Sequence, residues 1–523
     1  MKLELAPALR SELEGVVGNL ISNQIASRIA AKDSTIWGPA AQPEAAIRLG
    51  WTNSAQETSK LVPEILKLRD EFRSQGVSRF VLCGMGGSSL APEVIAKNSN
   101  VELVVLDSTD PSQVASALVD LERTAVVVSS KSGSTVETDS QKRAFEAAFE
   151  KAGIEPTARI VIVTDPGSPL DVASREAGYR VFNADPNVGG RYSALTAFGM
   201  VPSGLAGVEI IELLSSANNV SAQLSSDSFD NPALWLAAAL TRTPFGGGFK
   251  DKFLLETDAL PGFGDWVEQL VAESTGKEQV GTLPVVVTSE APELSLEIAD
   301  TLRTRYGAEL SNSDIAFSGS LGELFMLWEY ATAAAGWILK IDPFNQPNVE
   351  SAKVAARALL DSPILDDAVD FTDRGISVTA KGFELTGSTV ESAVDQLMHF
   401  VTDRSYISIH AYLNRVALPQ FESLRELVAK RTSRPTTFGW GPRFLHSTGQ
   451  YHKGGPRQGV FIQIVGKSEF DLEVPGRPFS FGTLIAAQAA GDANVLRDNG
   501  LPVLTLMLSD SVNDLELLKK VFA

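Results

Sequence analysis

Short β-branched runs that alternate with helical patterns are the feature that most restricts how this chain can fold. Strands and helices that alternate in this way form a parallel sheet with helices on both faces. We therefore predict an α/β domain over residues 76–205 with a sheet of about five strands. Its strand candidates are Arg79–Cys83, 101–106, 125–128, 160–163 and 180–182.

A second alternation follows a Ser-rich helical stretch at residues 203–230 and predicts a second, similar domain over residues 206–362. Its strand candidates are 253–255, 285–288 and 337–341, and its helix candidates are 263–275, 293–305, 320–335 and 348–360.

Residues 1–75 are predicted to be helical, with apolar periodicity over 9–29 and 58–72. Residues 363–523 mix helices with strand candidates at 376–380, 406–413, 460–465 and 502–508 and are predicted to form a C-terminal α/β segment.

Composition excludes several classes of protein. The chain has 523 residues and 44% hydrophobic residues, without an apolar run as long as the roughly 18 residues of a membrane span. A formal net charge of −19 argues against a nucleic-acid partner. The first residues lack the order of a secretory signal, and Cys83 is the single cysteine, which favours the reducing cytoplasm.

The stretch 125–138 joins a β-branched strand to a helix through a loop of hydroxyls. The first N–H groups of a helix lack intrahelical partners and attract anions, so this loop predicts a phosphate site. The loop does not end in the Gly-Lys-Ser/Thr of a nucleotide P-loop, so we favour a simple phosphate monoester over a nucleotide. An ordinary Ser-capped helix after a buried strand is the alternative interpretation. The candidate phosphate ligands are Ser130, Lys131, Ser132, Ser134 and Thr135.

A glycine-rich loop, Gly-Met-Gly-Gly-Ser-Ser, follows the first strand and lets the backbone approach a ligand. It also imitates a dinucleotide fingerprint, and Asp107 ends the next strand as a ribose ligand would. Ser89 stands in place of the third glycine, which makes the dinucleotide interpretation the weaker one.

Three further residues carry candidate chemistry. Arg191 follows paired glycines, and an Arg on such a turn is suited to clamp an anion. Glu273 lies near the end of an apolar helix that stops at Gly276, which opens space beside its carboxylate. Lys353 is predicted about one turn into a helix that starts near Pro347.

Together these motifs resemble those of glucose-6-phosphate isomerases. Gly-Gly-Arg-Tyr-Ser at 189–193 is similar to their Gly-Gly-Arg-Phe-Ser signature, and 344–353 is similar to Phe-Asp-Gln-x-Gly-Val-Glu-x-x-Lys, with Asn348 in place of Gly or Ala. Glu-Ser-Thr-Gly-Lys at 273–277, the hydroxyl loop and the glycine loop also resemble family motifs. The segments 31–38 and 443–456 resemble the isomerase half of transaldolase/isomerase fusion proteins.

The resemblance implies two sugar-isomerase-type three-layer αβα sandwiches with parallel sheets, followed here by the C-terminal α/β segment. It implies a cytoplasmic homodimer with a sugar-phosphate substrate and an active site at the subunit interface. It also implies aldose–ketose isomerisation between glucose 6-phosphate and fructose 6-phosphate, in glycolysis and gluconeogenesis. Neither a metal ion nor another cofactor is expected, and neither a membrane nor a nucleic acid is an expected partner.

The reaction must move a proton between two neighbouring carbons, and a carboxylate is a suitable base. We assign this role to Glu273 and the stabilisation of the cis-enediolate to Arg191, whose guanidinium stays charged. The resemblance implies that Lys353 and a histidine open the sugar ring. The candidate substrate-binding residues are Gly87, Ser88, Ser130, Lys131, Ser132, Ser134, Thr135, Gln269 and Gly190.

Which histidine opens the ring is an open choice at the level of sequence. None of the four lies between Glu273 and Lys353, where the family pattern places one. The polar, glycine-bearing loop 446–453 is similar to the family's Thr-Asn-Gly-Gln-His with one residue inserted. We therefore predict that His446 or His452 supplies the acid, across a dimer interface or within the chain.

Other functions remain open from the motifs alone. A dual glucose/mannose phosphate isomerase would carry the same residues. A non-catalytic sugar-phosphate sensor would not need Arg191, Glu273 and Lys353 together. Glutamine-dependent sugar-isomerising enzymes need an N-terminal nucleophilic cysteine, and Cys83 lies far from the start of this chain.

Overall fold

The computed structural model of the chain describes residues 1–246, 248–348, 369–467 and 470–523. Its strands are β1 (Lys2–Leu5), β2 (Arg79–Gly84), β3 (Val104–Leu106), β4 (Thr124–Ser129), β5 (Ile160–Thr164), β6 (Arg180–Asn183), β7 (Pro244–Phe245), β8 (Gly248–Phe249), β9 (Lys252–Glu256), β10 (Leu283–Val287), β11 (Thr301–Tyr306), β12 (Ile315–Ser318), β13 (Phe371–Asp373), β14 (Ile376–Lys381), β15 (Tyr406–Tyr412), β16 (Thr436–Trp440), β17 (Gly459–Gly466) and β18 (Val503–Leu508).

The α-helices surround the sheets and connect their strands. They are α1 (Pro7–Ser22), α2 (Ile25–Ala30), α3 (Gln42–Ala45), α4 (Ser54–Thr58), α5 (Val62–Ser74), α6 (Leu90–Asn98), α7 (Pro111–Ala117), α8 (Val136–Lys151), α9 (Pro169–Glu176), α10 (Ala197–Ala206), α11 (Ile210–Leu224), α12 (Pro232–Arg242), α13 (Phe263–Thr275), α14 (Leu321–Leu339), α15 (Val390–Met398), α16 (Leu424–Thr432), α17 (Gly449–Gly454), α18 (Phe481–Asp498) and α19 (Asp514–Phe522). Among the described residues, no helix is both long and apolar enough to span a bilayer.

The first sheet has the strand order β3-β2-β4-β5-β6, and all its strand pairs are parallel. Every residue of β4 is buried, as expected for a strand that is covered on both faces. The predicted strands of this region are confirmed, although β3 is shorter than the run 101–106. Gly84 and Ser129 are paired neighbours at the carboxyl ends of β2 and β4. The glycine loop and the hydroxyl loop therefore start side by side.

The second sheet has the order β1-β12-β11-β9-β10 and corrects three predictions. Residues 293–305 were predicted as a helix, but Thr301–Tyr306 is a strand parallel to β9. Residues 337–341 were predicted as a strand, but α14 continues through them to Leu339. Lys2–Leu5 lies in the segment predicted as helical and forms a strand antiparallel to β12. Segments β1 and β11 are strands and not helices because they pair with distant strands, and such tertiary contacts override local propensity in short segments.

The third sheet is built from the C-terminal segment in the order β13-β14-β18-β17-β15-β16. It has its own apolar core, with residues from β14, β15, β17 and β18 packed against α15, α16 and α19. The four predicted strands are present, and β13 and β16 are additional strands that the sequence pattern did not predict.

Buried ion pairs fix the third sheet's loops against the first domain. Arg443 contacts Glu93 at 2.5 Å and Asp107 at 2.7 Å, and Arg415 contacts Asp107 at 3.0 Å. The two guanidinium groups hold the pKa of the Glu93 carboxyl well below its usual range, against the opposing effect of burial. Asp107 is fully buried in these pairs. Its carboxylate is therefore engaged, which contradicts a ribose-binding role and the dinucleotide interpretation.

Candidate active site

Three loops meet where the carboxyl edge of the first sheet faces the third sheet and its helices, residues 369–467 and 470–523, which we call the third domain. A Cβ atom added to Gly87 would lie 1.9 Å from the carbonyl oxygen of Gly190, so the two glycine loops pack backbone against backbone. Gly86 has a φ of +55°, and a Cβ there would lie 2.7 Å from the carbonyl oxygen of His446. Glycine is therefore required at both positions for these loops to approach each other.

Arg191 is the most extensively bonded side chain of this region. It follows the Gly189–Gly190 turn and is almost completely buried, at 3% relative exposure. Its guanidinium donates to Ser274 Oγ (2.7 Å), Gln346 Oε1 (3.0 Å) and the carbonyl oxygens of Pro343 (2.7 Å) and Asn345 (3.0 Å). Its Nη1 also lies 3.2 Å from Glu273 Oε1. These bonds fix a permanent positive charge against the predicted base.

Glu273 is held from both sides near the C-terminal end of α13. Its Oε1 contacts Arg191, and its Oε2 accepts a hydrogen bond of 3.2 Å from Gln269, one helical turn earlier. Gln269 also donates to the carbonyl oxygen of His446 at 2.8 Å, whereas its own buried Oε1 has no hydrogen-bond partner among the residues that the structure describes. Helix α13 therefore connects the predicted base to the loop that carries His446.

Lys277 lies just after α13 and is buried beside the same cluster. Its ammonium group donates to the carbonyl oxygens of Asp342 and Asn345. Burial lowers the pKa of Lys277 well below its usual value, and the neighbouring charge of Arg191 acts in the same direction. Lys277 and Arg191 thus both anchor the segment that leads into the predicted Lys353 helix. Lys353 itself lies outside the described residues.

The hydroxyl loop forms a turn at the start of α8. Ser130 Oγ accepts from the N–H of Gly133 at 3.1 Å, and the hydroxyls of Ser132 and Ser134 are 2.7 Å apart. Thr135 is the N-cap residue, and its hydroxyl accepts from Ser130 Oγ at 3.4 Å instead of capping the helix. The predicted anion site therefore lies at the N-terminus of a 16-residue helix.

Lys131 points away from that turn. Its ammonium lies 2.6 Å from Asp165 Oδ2 and 3.3 Å from the carbonyl oxygen of Pro186. Burial lowers the pKa of Lys131, and the Asp165 carboxylate partly opposes this shift. Lys131 was predicted to bind the phosphate, but its ammonium group instead forms an ion pair with Asp165.

The two histidine candidates occupy different environments. His446 Nε2 lies 2.8 Å from Oε1 of Glu137, the second residue of α8, and the His446 side chain is 13% exposed. His452 is buried in the third domain, with its Nδ1 2.9 Å from the hydroxyl of Tyr406. Burial holds the pKa of His452 well below its usual value. The structure brings His446, and not His452, to the loops that carry the other predicted residues.

Glu137 and Gln346 contact the predicted residues but were missed by the sequence analysis. Both lie inside stretches that it singled out, Glu137 two residues after Thr135 and Gln346 in the segment 344–353. No sequence pattern indicated that Glu137 would contact His446, because the two residues are separated by 309 positions. A carboxylate in the first turn of a helix is also common for electrostatic reasons alone.

Comparison with known proteins shows what the chain resembles. The family model described as phosphoglucose isomerase matches residues 68–299, a range that contains both glycine loops, the hydroxyl loop, Arg191 and Glu273. Over this range the chain is similar to the phosphoglucose isomerase family. His446 and its domain lie beyond the part that the family model matches.

Proteins named glucose-6-phosphate isomerase are similar to this chain over more than half of its length. A protein named probable glucose-6-phosphate isomerase, from Haloarcula marismortui, is 27% identical over 351 residues, which are 56% of this chain and 80% of the relative. The glucose-6-phosphate isomerase of Carboxydothermus hydrogenoformans is 29% identical over 383 residues, which are 57% of this chain and 82% of the relative.

Solved structures support the fold. The crystal structure of a glucose-6-phosphate isomerase from Chlamydia trachomatis aligns with a TM-score of 0.53 at 19% identity. The alignment covers 68% of this chain and 85% of that one. The mixed α/β architecture with parallel sheets, predicted from the alternating strands and helices, is thus confirmed.

Proposed function

We propose that the chain is an aldose–ketose isomerase that interconverts glucose 6-phosphate and fructose 6-phosphate through a cis-enediolate. The observation that carries this proposal is the pair of Glu273 and Arg191, 3.2 Å apart and close to the glycine loops. A carboxylate and a fixed guanidinium are the base and the counter-charge that such an isomerisation needs.

In the proposed isomerisation Glu273 takes a proton from carbon 2 of the open-chain aldose and returns it to carbon 1, while the proton of the hydroxyl on carbon 2 passes to the oxygen on carbon 1. Negative charge then develops on the enediolate oxygens, and Arg191 stabilises it without giving up its own proton. The four hydrogen bonds that hold Arg191 support this role, because a preorganised charge needs no rearrangement during the reaction.

The substrate first has to open its ring, and we assign the acid to His446. Ring opening breaks the bond between carbon 1 and the ring oxygen, so the ring oxygen gains a proton while the hydroxyl on carbon 1 loses one. The carboxylate of Glu137 accepts from Nε2 of His446, which leaves Nδ1 to exchange a proton with the sugar. We retain Lys353 as the second ring-opening residue because of its family motif, and we set His452 aside because of its buried position.

We place the phosphate of the substrate at the N-terminus of α8. The hydroxyls of Ser130, Ser132, Ser134 and Thr135 and the positive end of the helix dipole of α8 support this placement. Ser88 lies in the glycine loop, which starts beside the hydroxyl loop, and would add a further hydroxyl to the phosphate. The backbones of Gly87 and Gly190 would line the sugar. Lys131 would have to leave Asp165 to contribute a charge.

A coupled spectrophotometric assay tests the function directly. We expect reversible turnover of glucose 6-phosphate and fructose 6-phosphate, and this turnover should persist after exhaustive chelation of metal ions. Mannose 6-phosphate in the same assay tests for dual specificity. An enzyme that binds these sugar phosphates without turning them over would contradict the proposal.

We further propose a cytoplasmic homodimer, as the family resemblance implies. The single, buried Cys83 is consistent with a reducing compartment. Light scattering coupled to gel filtration measures the mass of the particle, and a mass equal to that of one chain would refute the dimer.

A further inference from the structure

We propose that Gln488, in helix α18 of the third domain, is a positioning residue for the ring-opening acid. This inference rests on the proposed function of His446. The Nε2 atom of Gln488 donates a hydrogen bond of 2.7 Å to Oε1 of Glu137, the same carboxylate oxygen that contacts His446. Gln488 therefore touches the partner of the acid and acts through it.

A second hydrogen bond fixes the orientation of the Gln488 amide. The hydroxyl of Thr109 donates to Gln488 Oε1 at 2.7 Å. This bond makes Oε1 the acceptor end of the amide, so the N–H end must face Glu137. Thr109 thus donates to Gln488 and Gln488 donates to Glu137, whose carboxylate also accepts from His446.

The polar groups of Thr109, Gln488 and Glu137 are buried, so the loss of any of their hydrogen bonds would cost free energy. Thr109, Glu137 and Gln488 have relative exposures of 0%, 4% and 3%. A buried carboxylate needs hydrogen bonds to replace lost water, and the amide supplies one without adding a charge. A cation at position 488 would compete with His446 for the charge of Glu137, whereas an amide leaves that charge in place.

A purely structural role of Gln488 would be to join the first domain to the third. The ion pairs of Arg415 and Arg443 already join these domains elsewhere. The two roles differ in one measurable respect. A positioning residue affects ring opening alone and only when His446 is present, whereas a domain anchor weakens every activity and the stability equally.

The experiment compares Gln488→Met, which keeps size and removes the amide, with the wild type on two substrates. One substrate is cyclic glucose 6-phosphate, and the other is an analogue that lacks the hydroxyl groups with which the sugar closes its ring. We expect kcat/KM on the cyclic sugar to fall by roughly 10- to 100-fold, with little change on the open-chain analogue. In a His446→Asn background the same change should have no further effect.

Gln463→Met is the matched control. Gln463 is also buried in the third domain, where it donates to the carbonyl oxygen of Ala489 at 3.0 Å and accepts from Thr505 at 3.1 Å. Its replacement should lower the midpoint of thermal unfolding and leave the ratio of the two activities unchanged. Thr109→Val provides a second test if Gln488→Met does not fold, and Thr109→Ser should retain the wild-type ratio.

The outcomes separate this inference from the function on which it rests. A wild type that does not convert glucose 6-phosphate refutes the proposed function. An active wild type whose Gln488→Met variant loses both activities equally, or loses activity additively with His446→Asn, overturns the positioning role and leaves the isomerase activity standing.

Discussion

At the scale of single residues, Glu273 is the side chain on which the proposed chemistry depends most. Glu273→Gln keeps the size and can still bond to Arg191 and Gln269, but it removes the base. We expect turnover to fall by roughly 100-fold or more with a modest change in substrate affinity, and solvent tritium incorporation at carbon 2 to fall in parallel. The matched control is Glu268→Gln, five positions earlier on the same helix, which should keep near wild-type turnover.

The two histidines make a second test at this scale. His446→Asn should lose activity on cyclic glucose 6-phosphate and keep it on the open-chain analogue, because its proposed role ends when the ring has opened. His452→Asn removes the buried bond to Tyr406, so it should lower the thermal midpoint and leave the ratio of the two activities unchanged. The reverse pattern would return the ring-opening role to His452.

At the scale of elements, the turn before α8 should bind the unreacting end of the substrate. Interactions with that end contribute first to binding, so their loss should raise KM more than it lowers kcat. We expect the double variant Ser132→Ala/Thr135→Ala to raise KM and to weaken inhibition by inorganic phosphate. Thr157→Ala, beyond the far end of α8, is the control. Undiminished inhibition of the double variant by phosphate would place the anion elsewhere.

At the scale of the whole molecule, the third domain supplies His446 to the site of its own chain. The contacts of His446 with Glu137 and Gln269 are all within one chain. We therefore expect that co-expression of the Glu273→Gln and His446→Asn variants will not restore activity, even where mixed dimers form. Restored activity in purified mixed dimers would mean that the acid crosses between subunits.

The sequence predicted the elements whose periodicity is strong and whose length is sufficient. Helix α13 was predicted as 263–275 and spans Phe263–Thr275, and the strands of the first sheet were located from their apolar runs. The prediction was wrong at Lys2–Leu5 and Thr301–Tyr306. Both segments are short, and each forms a strand by pairing with a strand that is distant in the chain. Local pattern contains no information about such pairing.

The sequence by itself determined the residue types of the proposed site, because glycine loops, hydroxyls, Arg191 and Glu273 lie within short motifs whose local geometry is set by neighbouring residues. Only the tertiary structure brought His446 to Glu137, turned Lys131 towards Asp165 and joined Gln488 to Glu137. These contacts connect segments from different domains or different loops. Their physical cause is the packing of three sheets against one another, which a periodicity within one segment does not contain.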